Sequence, residues 1–162
     1  MPSEDRATSS VAPQIRPLCP ADSASISNIL RDSAEAAQWP PESYVKLAAS
    51  PGGVFLVCEA NTEVIGFVAA RHVADEAEIL NVAVRRDFRR KGVATTLLLA
   101  ALDKFRSSSI ARVFLELRES NHPARALYEH HGFVPSGRRK SYYRDPIEDA
   151  LCMEKKLTAA SG

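Results

Sequence analysis

The segment Val82-Ala83-Val84-Arg85-Arg86-Asp87-Phe88-Arg89-Arg90-Lys91-Gly92-Val93-Ala94 constrains this chain more than any other. An apolar, strand-like run gives way to a short basic loop, and a helical pattern starts at Gly92. The first turn of a helix carries unpaired N–H groups and the positive end of the helix dipole. Such a start suits an anion, above all a phosphate. Gly92 lets the backbone approach a ligand closely, and Ala94 keeps the first turn small. Five of the seven residues from Arg85 to Lys91 are cationic, while the whole chain has a formal net charge of +1. Basic charge alone is ordinary for a solvated loop. Small residues at a strand-to-helix junction turn the reading towards a pyrophosphate site. The loop is neither G-x-G-x-x-G nor G-x-x-x-x-G-K-[ST], which disfavours the dinucleotide and P-loop folds.

The 162 residues suit one domain with a sizeable core. Hydrophobic residues at 45% and charged residues at 25% place it among soluble globular chains. The near-zero net charge argues against direct nucleic-acid binding or membrane binding driven by a chain-wide field. Cys19, Cys58 and Cys152 are odd in number and far apart, so neither a disulfide framework nor a CxxC metal site is expected. A cytoplasmic compartment fits that usage. No basic-then-apolar leader opens the chain, and the near-apolar stretch from Val93 to Leu102 is too short to span a bilayer.

Composition sets residues 1–13 apart as a disordered tail, with a domain over 14–158 and a short tail at 159–162. Ile15 to Leu18 reads as an edge strand between prolines. Asp22 or Ser23 can cap a helix carrying Ile26, Ile29 and Leu30, which Trp39-Pro40-Pro41 ends. A second short helix is expected over Glu42 to Ala48. Val54 to Glu59 and Val64 to Arg71 form a hairpin about Asn61-Thr62-Glu63, and Glu78 to Val84 is a further strand. Helical spacing runs from Val93 to Phe105, and Arg112 to Leu117 alternates as a strand. Asn121 to His130 reads as a short helix stopped by Gly132. Two strands follow, near Phe133 to Tyr142 and Ala150 to Lys156. The expectation is a mixed α/β fold: a central mixed sheet of about seven strands with flanking helices and one βαβ crossover.

Arg89-x-x-Gly92-x-Ala94, after a strand and before a long amphipathic helix, resembles the signature of the GNAT superfamily of acyl-CoA N-acyltransferases. The element order from Ile15 to Leu157 is similar as well. That resemblance implies acetyl-CoA as co-substrate. Its pyrophosphate would lie on Arg89, Arg90, Lys91, Gly92, Val93, Ala94 and Thr95, and its pantetheine arm along the backbone of Val82, Ala83 and Val84.

Acetyl transfer to an amine needs a neutral nucleophile, donors for the tetrahedral oxyanion, and a proton for the departing thiolate. An α-amino group with a pKa of about 8 needs only a modest base. Glu116 is a candidate, a carboxylate in mid-strand opposite the Val113, Leu115 and Leu117 face. A cross-strand ion pair with an arginine is an equally ordinary reading of it. Tyr128 is a candidate acid, although a buried amphipathic tyrosine is commoner. Asn121 lies seven positions before it and could share its side of the helix, or be a plain cap. The string Phe114-Leu115-Glu116-Leu117-Arg118-Glu119-Ser120-Asn121, then Ala126-Leu127-Tyr128 and Gly132-Phe133, looks very like the ribosomal-protein-alanine N-acetyltransferases and related N-terminal acetyltransferases. By that resemblance Glu116 accepts the proton, Tyr128 donates one to the CoA sulfur, and Asn121 contacts the cofactor. The oxyanion donor would be a backbone N–H near Val82 to Val84. The basic hairpin with Tyr142 and Tyr143 would line the peptide side.

Glu78 is a rival base. His72, His122, His130 and His131 lack metal-ligand spacing, and no metal is expected. His130-His131 reads as a helix C-terminal pair favoured by the dipole, and Cys58 and Cys152 as buried, inert strand residues. The implied partner is a protein or peptide N-terminus, the first candidate being the N-terminal alanine of a small-subunit ribosomal protein. Acetylation of a lysine or small amine, and a non-catalytic acyl-CoA sensor on the same fold, are the rival readings. The sequence leaves oligomeric state open, from monomer to weak dimer.

Overall fold

The computed structural model describes residues 13–158, so the two tails expected from composition lie outside the described residues, Pro13 apart. Strand β1 (Gln14–Pro17) is followed by helices α1 (Ser23–Arg31) and α2 (Pro41–Ala49). Strands β2 (Gly53–Ala60), β3 (Glu63–Val73) and β4 (Glu76–Val84) then form a meander. Helix α3 (Val93–Ser107), strand β5 (Arg112–Arg118), helix α4 (His122–His130) and strands β6 (Val134–Tyr143) and β7 (Glu148–Lys156) complete the chain. The element order is the expected one.

All seven strands join one sheet in the order β1-β2-β3-β4-β5-β7-β6. Only the β4–β5 pair is parallel, because α3 carries the chain back across the sheet between them. The β2–β3 turn is tighter than expected. Glu63 belongs to β3 and pairs with Ala60, leaving Asn61 and Thr62, both with positive φ, as a two-residue turn. That geometry matches the twist of the flanking strands.

Each face of the sheet carries its own helices. Leu97, Leu98, Ala101, Leu102 and Phe105 of α3 are buried at helical spacing against β2, β3 and β4, and Tyr128 of α4 joins the same cluster. Ile26, Ile29 and Leu30 of α1 and Tyr44 of α2 cover Phe55, Val57 and Phe67 on the opposite face. Gly66 permits close seating of α3. A side chain there would start 3.1 Å from the Ala83 carbonyl oxygen and 3.1 Å from Val93 Cγ1. The helices α1 and α2 stop short of β5, β7 and β6, so that half of their face stays open.

Asp22 stands at the cap position of α1 but does not bond the helix amides. Its carboxylate accepts instead from the Cys19 N–H (2.8 Å) and from both terminal nitrogens of Arg16 (2.8 and 3.0 Å). A bidentate guanidinium outcompetes a single neutral amide. Arg16 also reaches Glu59 on β2, so β1, β2 and the start of α1 share one ion cluster. Arg16 holds the Asp22 carboxyl below the usual carboxylate range. A lowered folded-state pKa gives stability that is present above the unfolded pKa of about 4 and lost as pH falls through the folded value. Asp22→Asn is expected to cost about 2 kcal/mol at neutral pH. In denaturant titrations the wild type and variant should converge as the pH is lowered from 5 towards about 2.

Candidate active site

The site grows from one irregularity in β4. Asn81 pairs with Ala69 and Ile79 with Ala70, so Leu80 has no partner on β3. A bulge of this kind swaps the parity of the side chains and bends the strand. Ala77 and Ile79 face α3 before the bulge, while Val84 joins that cluster after it. Asn81 and Ala83 turn to the α1–α2 side. The parallel ladder to β5 runs from Glu76↔Arg112 to Ile79↔Leu115 and ends there. Beyond it β4 follows β3, and β5 follows β7 as far as Arg118↔Ala150. Arg118 is held to that side by Glu148 (3.3 Å) and by the carbonyls of Arg144 and Pro146. A gap therefore opens between Asn81–Val84 and Glu116–Arg118, with unpaired backbone along its edges.

The basic loop closes the end of this gap. Arg90 and Gly92 both have positive φ (62° and 79°), and Gly92 is the residue before α3. The first helical bond is donated by Thr96 N–H to the Gly92 carbonyl. Among the described residues, no backbone carbonyl accepts from the N–H groups of residues 90–95 outside α3's own ladder. A concave turn of free amides at a helix start is an anion site. The five cations are not equivalent. Arg85 is paired to Asp87 (2.7 Å) and Glu63 (3.1 Å) and lies over the Phe88 ring. Arg89 turns inward, donating to the carbonyls of Val84 (3.1 Å) and Asp32 (2.7 Å) and to Ser33 Oγ (3.1 Å). These bonds use Nε and one terminal nitrogen, so the guanidinium braces the loop while its other terminal nitrogen has no protein partner among the described residues. Arg86, Arg90 and Lys91 form no ion pair among the described residues. Ala83 and Val93 have buried side chains, so they offer backbone alone.

Glu116 lies on the open face of β5, its side chain 20% exposed, in a groove of about 650 Å³ shared with Arg71, Glu78, Phe114, Arg139 and Cys152. Arg139 of β6 reaches across β7 and donates to Glu116 Oε1 at 2.5 Å. The cross-strand ion pair anticipated for this carboxylate is thus present. Glu78 is paired likewise, with Arg71 at 3.0 Å. A hydrogen bond to Glu116 raises the Tyr142 pKa. Burial, and then Glu116, pushes Tyr143 up to about 12. Tyr128 lies behind the sheet in the α3–α4 core, 7% exposed and edge-on to Phe133. Burial and the neighbouring Tyr143 push its hydroxyl well above the ordinary phenol range. Glu116 and Tyr128 are therefore on opposite faces, and the β4–β5 gap is the passage between them. Asn121 caps α4, its Oδ1 accepting from Ala124 N–H (3.2 Å).

Arg139 was not singled out from sequence, because residues 23 apart meet only through the register of β5, β7 and β6. The bulge had a signal: the even alternation of β4 breaks at Leu80-Asn81. Two side residues depart from expectation. His131 is pushed down, towards its neutral form, by burial, His130 and Lys155, which weakens the expected charge–dipole role at that residue. Cys58 is buried as expected, but Cys152 is half-exposed in the groove.

A gap with backbone edges on both sides suits an extended chain that carries amides, and an anion site at its end suits a pyrophosphate. Together they have the shape and chemistry that an acyl-CoA would fill. The family model for the acetyltransferase (GNAT) family matches residues 23–133, and the chain belongs to the GNAT family of acetyltransferases, enzymes that draw on acetyl-CoA. A Bacillus subtilis protein provisionally named a [ribosomal protein bS18]-alanine N-acetyltransferase is 37% identical over 116 residues, 71% of this chain and 77% of that one. The Haemophilus ducreyi enzyme of that name is 32% identical over 121 residues, 74% of this chain and 83% of that one. Among solved structures, the Escherichia coli ribosomal-protein-S18-alanine N-acetyltransferase superposes with a TM-score of 0.79 at 28% identity, covering 91% of this chain and 96% of its own. Ard1 from Thermoplasma volcanium gives 0.84 at 30%, covering 91% and 99%.

Gly92→Ala tests the anion site. The added Cβ meets nothing within 4 Å, so the cost comes from a left-handed φ of 79°. It should destabilise the fold by about 1 kcal/mol and raise the acetyl-CoA dissociation constant severalfold by calorimetry.

Proposed function

We propose that this chain transfers acetyl from acetyl-CoA to the N-terminal α-amino group of a protein, with the N-terminal alanine of ribosomal protein bS18 as first candidate. The observation that carries the reading is Glu116, a carboxylate on the open face at the mouth of the β4–β5 gap, under a hairpin bearing Arg139, Tyr142 and Tyr143. The relatives' shared substrate supports the acceptor.

In this reading the backbone of Val82, Ala83 and Val84 lines the pantetheine arm and places an N–H on the thioester oxygen. The free amides of residues 90–95, with Arg90 and Lys91, hold the pyrophosphate. Asn121 caps α4 with its oxygen, leaving its Nδ2 for the cofactor. The acceptor enters over the open face. Its ammonium and Arg139 are rival cations for one carboxylate, so docking displaces the guanidinium. Glu116 then takes the amine proton, directly or through water, and the neutral nitrogen attacks the thioester carbon. The C–N bond forms first, giving a tetrahedral oxyanion on that N–H; the C–S bond then breaks, the new amide nitrogen sheds its second proton, and a proton reaches the CoA sulfur. Burial keeps Tyr128 protonated at neutral pH. Its O–H gives a proton to the departing sulfur, and the proton shed by the new amide nitrogen restores the phenol. A cytoplasmic protein without a metal is the matching setting.

The test is CoA release with three peptides: one beginning Ala-Arg, its N-acetylated twin, and one offering only a lysine amine. Turnover is expected from the free N-terminus alone. Glu116→Gln and Tyr128→Phe should each lower kcat by about 10²–10⁴ and leave acetyl-CoA affinity unchanged. Turnover of the lysine peptide alone would move the assignment to a side-chain amine.

A further inference from the structure

The loop between α1 and α2 borders the open face, and its anchoring is unusual. Asn81, the first residue past the β4 bulge, is 7% exposed. Its Nδ2 donates to the Ala37 carbonyl (3.1 Å) and to the Tyr44 hydroxyl (3.0 Å). The Tyr44 hydroxyl donates to the same carbonyl at 2.9 Å. Both lone pairs of the Ala37 oxygen are thereby satisfied, and the two hydrogens of one carboxamide are used up. An aspartate would set an anionic oxygen against that carbonyl, and an alanine would leave buried polar groups unpaired. Tyr44 is itself 1% exposed, and Trp39 stacks on it with ring centroids 5.2 Å apart.

The other end of the loop is tied with equal care. Arg89 of the basic loop donates to the Asp32 carbonyl and Ser33 Oγ. Gln38 spans the middle, its Nε2 within 3.2 Å of the Leu30, Ser33 and Ala36 carbonyls. Residues 32–40 are thus clamped from outside by Asn81 and Arg89, and both clamps come from the elements assigned to acetyl-CoA.

We propose that Asn81 is a positioning residue for acyl transfer, which sets the α1–α2 loop at a fixed distance from the Val82–Val84 segment through the Ala37–Tyr44 triangle. This rests on the function proposed above, in which that segment carries the thioester and the open face admits the acceptor. The bulge places Asn81 where a shift of the loop and a shift of the thioester strand are the same movement. Small misplacements at such a point are costly, since attack requires the reacting atoms at near-contact distance. The loop then acts as the wall against which an N-terminal residue is seated.

The experiment compares wild type, Asn81→Ala, Asn81→Asp and Tyr44→Phe in steady-state acetylation of the Ala-Arg peptide, with melting curves and hydrogen exchange on the full chain. Tyr44→Phe keeps the ring packing and removes only the hydroxyl, so it remains informative if an Asn81 variant folds poorly. Each variant should raise the peptide KM about tenfold, with acetyl-CoA KM within about twofold. Exchange protection should fall at residues 32–40 and persist in α3. Combining Asn81→Ala with Tyr44→Phe should add little to either alone, because both break one triangle. Unchanged peptide KM in folded variants, a parallel rise in acetyl-CoA KM, or unchanged protection at 32–40 would each overturn the proposal. Absence of peptide turnover by the wild type would instead count against the proposed function. In that case the exchange data decide the clamp alone.

Discussion

The opening between two parallel strands organises everything else in this protein. Parallel neighbours ordinarily pair along their length, because an unpaired buried peptide group is costly. Here the ladder ends at Ile79↔Leu115, and each strand keeps its other neighbour instead. One bulged residue, Leu80, makes that possible. It swaps the side-chain parity of β4, so that Asn81 and Ala83 face α1 and α2 while Val84 stays with α3. The unpaired edges are then both the cost of the opening and its use, since an extended ligand that carries amides can complete them.

Charge is distributed around that opening in a way a count does not reveal. Of the five cations in the basic loop, Arg85 is spent on holding the loop's shape, and Arg89 braces it through Nε and one terminal nitrogen. Arg86, Arg90 and Lys91 remain outward. On the open face two carboxylates have arginine partners, Glu78 with Arg71 and Glu116 with Arg139. Both pairs are solvent-accessible, so they are weak and exchangeable rather than structural. A groove lined by such pairs can take up a cationic acceptor without stranding a buried charge.

Much of the fold was legible beforehand. The order of seven strands and four helices followed from periodicity, because each element is amphipathic about one boundary between core and solvent. Gly92 and the charge around it marked the turn of free amides at the start of α3, since left-handed φ and free amides are local properties. The alternation of β5 placed Glu116 opposite the core face. The errors were local competitions. Asp22 gave up its capping role to Arg16, Glu63 joined a strand because the turn closes in two residues, and burial pushed His131 towards its neutral form.

By itself the sequence determined which elements form, which face of each is apolar, and where an anion can sit, because those depend on neighbours within a few residues. The tertiary structure alone decided that β4 and β5 part company, that Arg139 meets Glu116 across an intervening strand, and that Asn81 ties the α1–α2 loop to the bulge. These join residues 23 to 44 positions apart. Register and crossover set such distances, and no local pattern of residues encodes them.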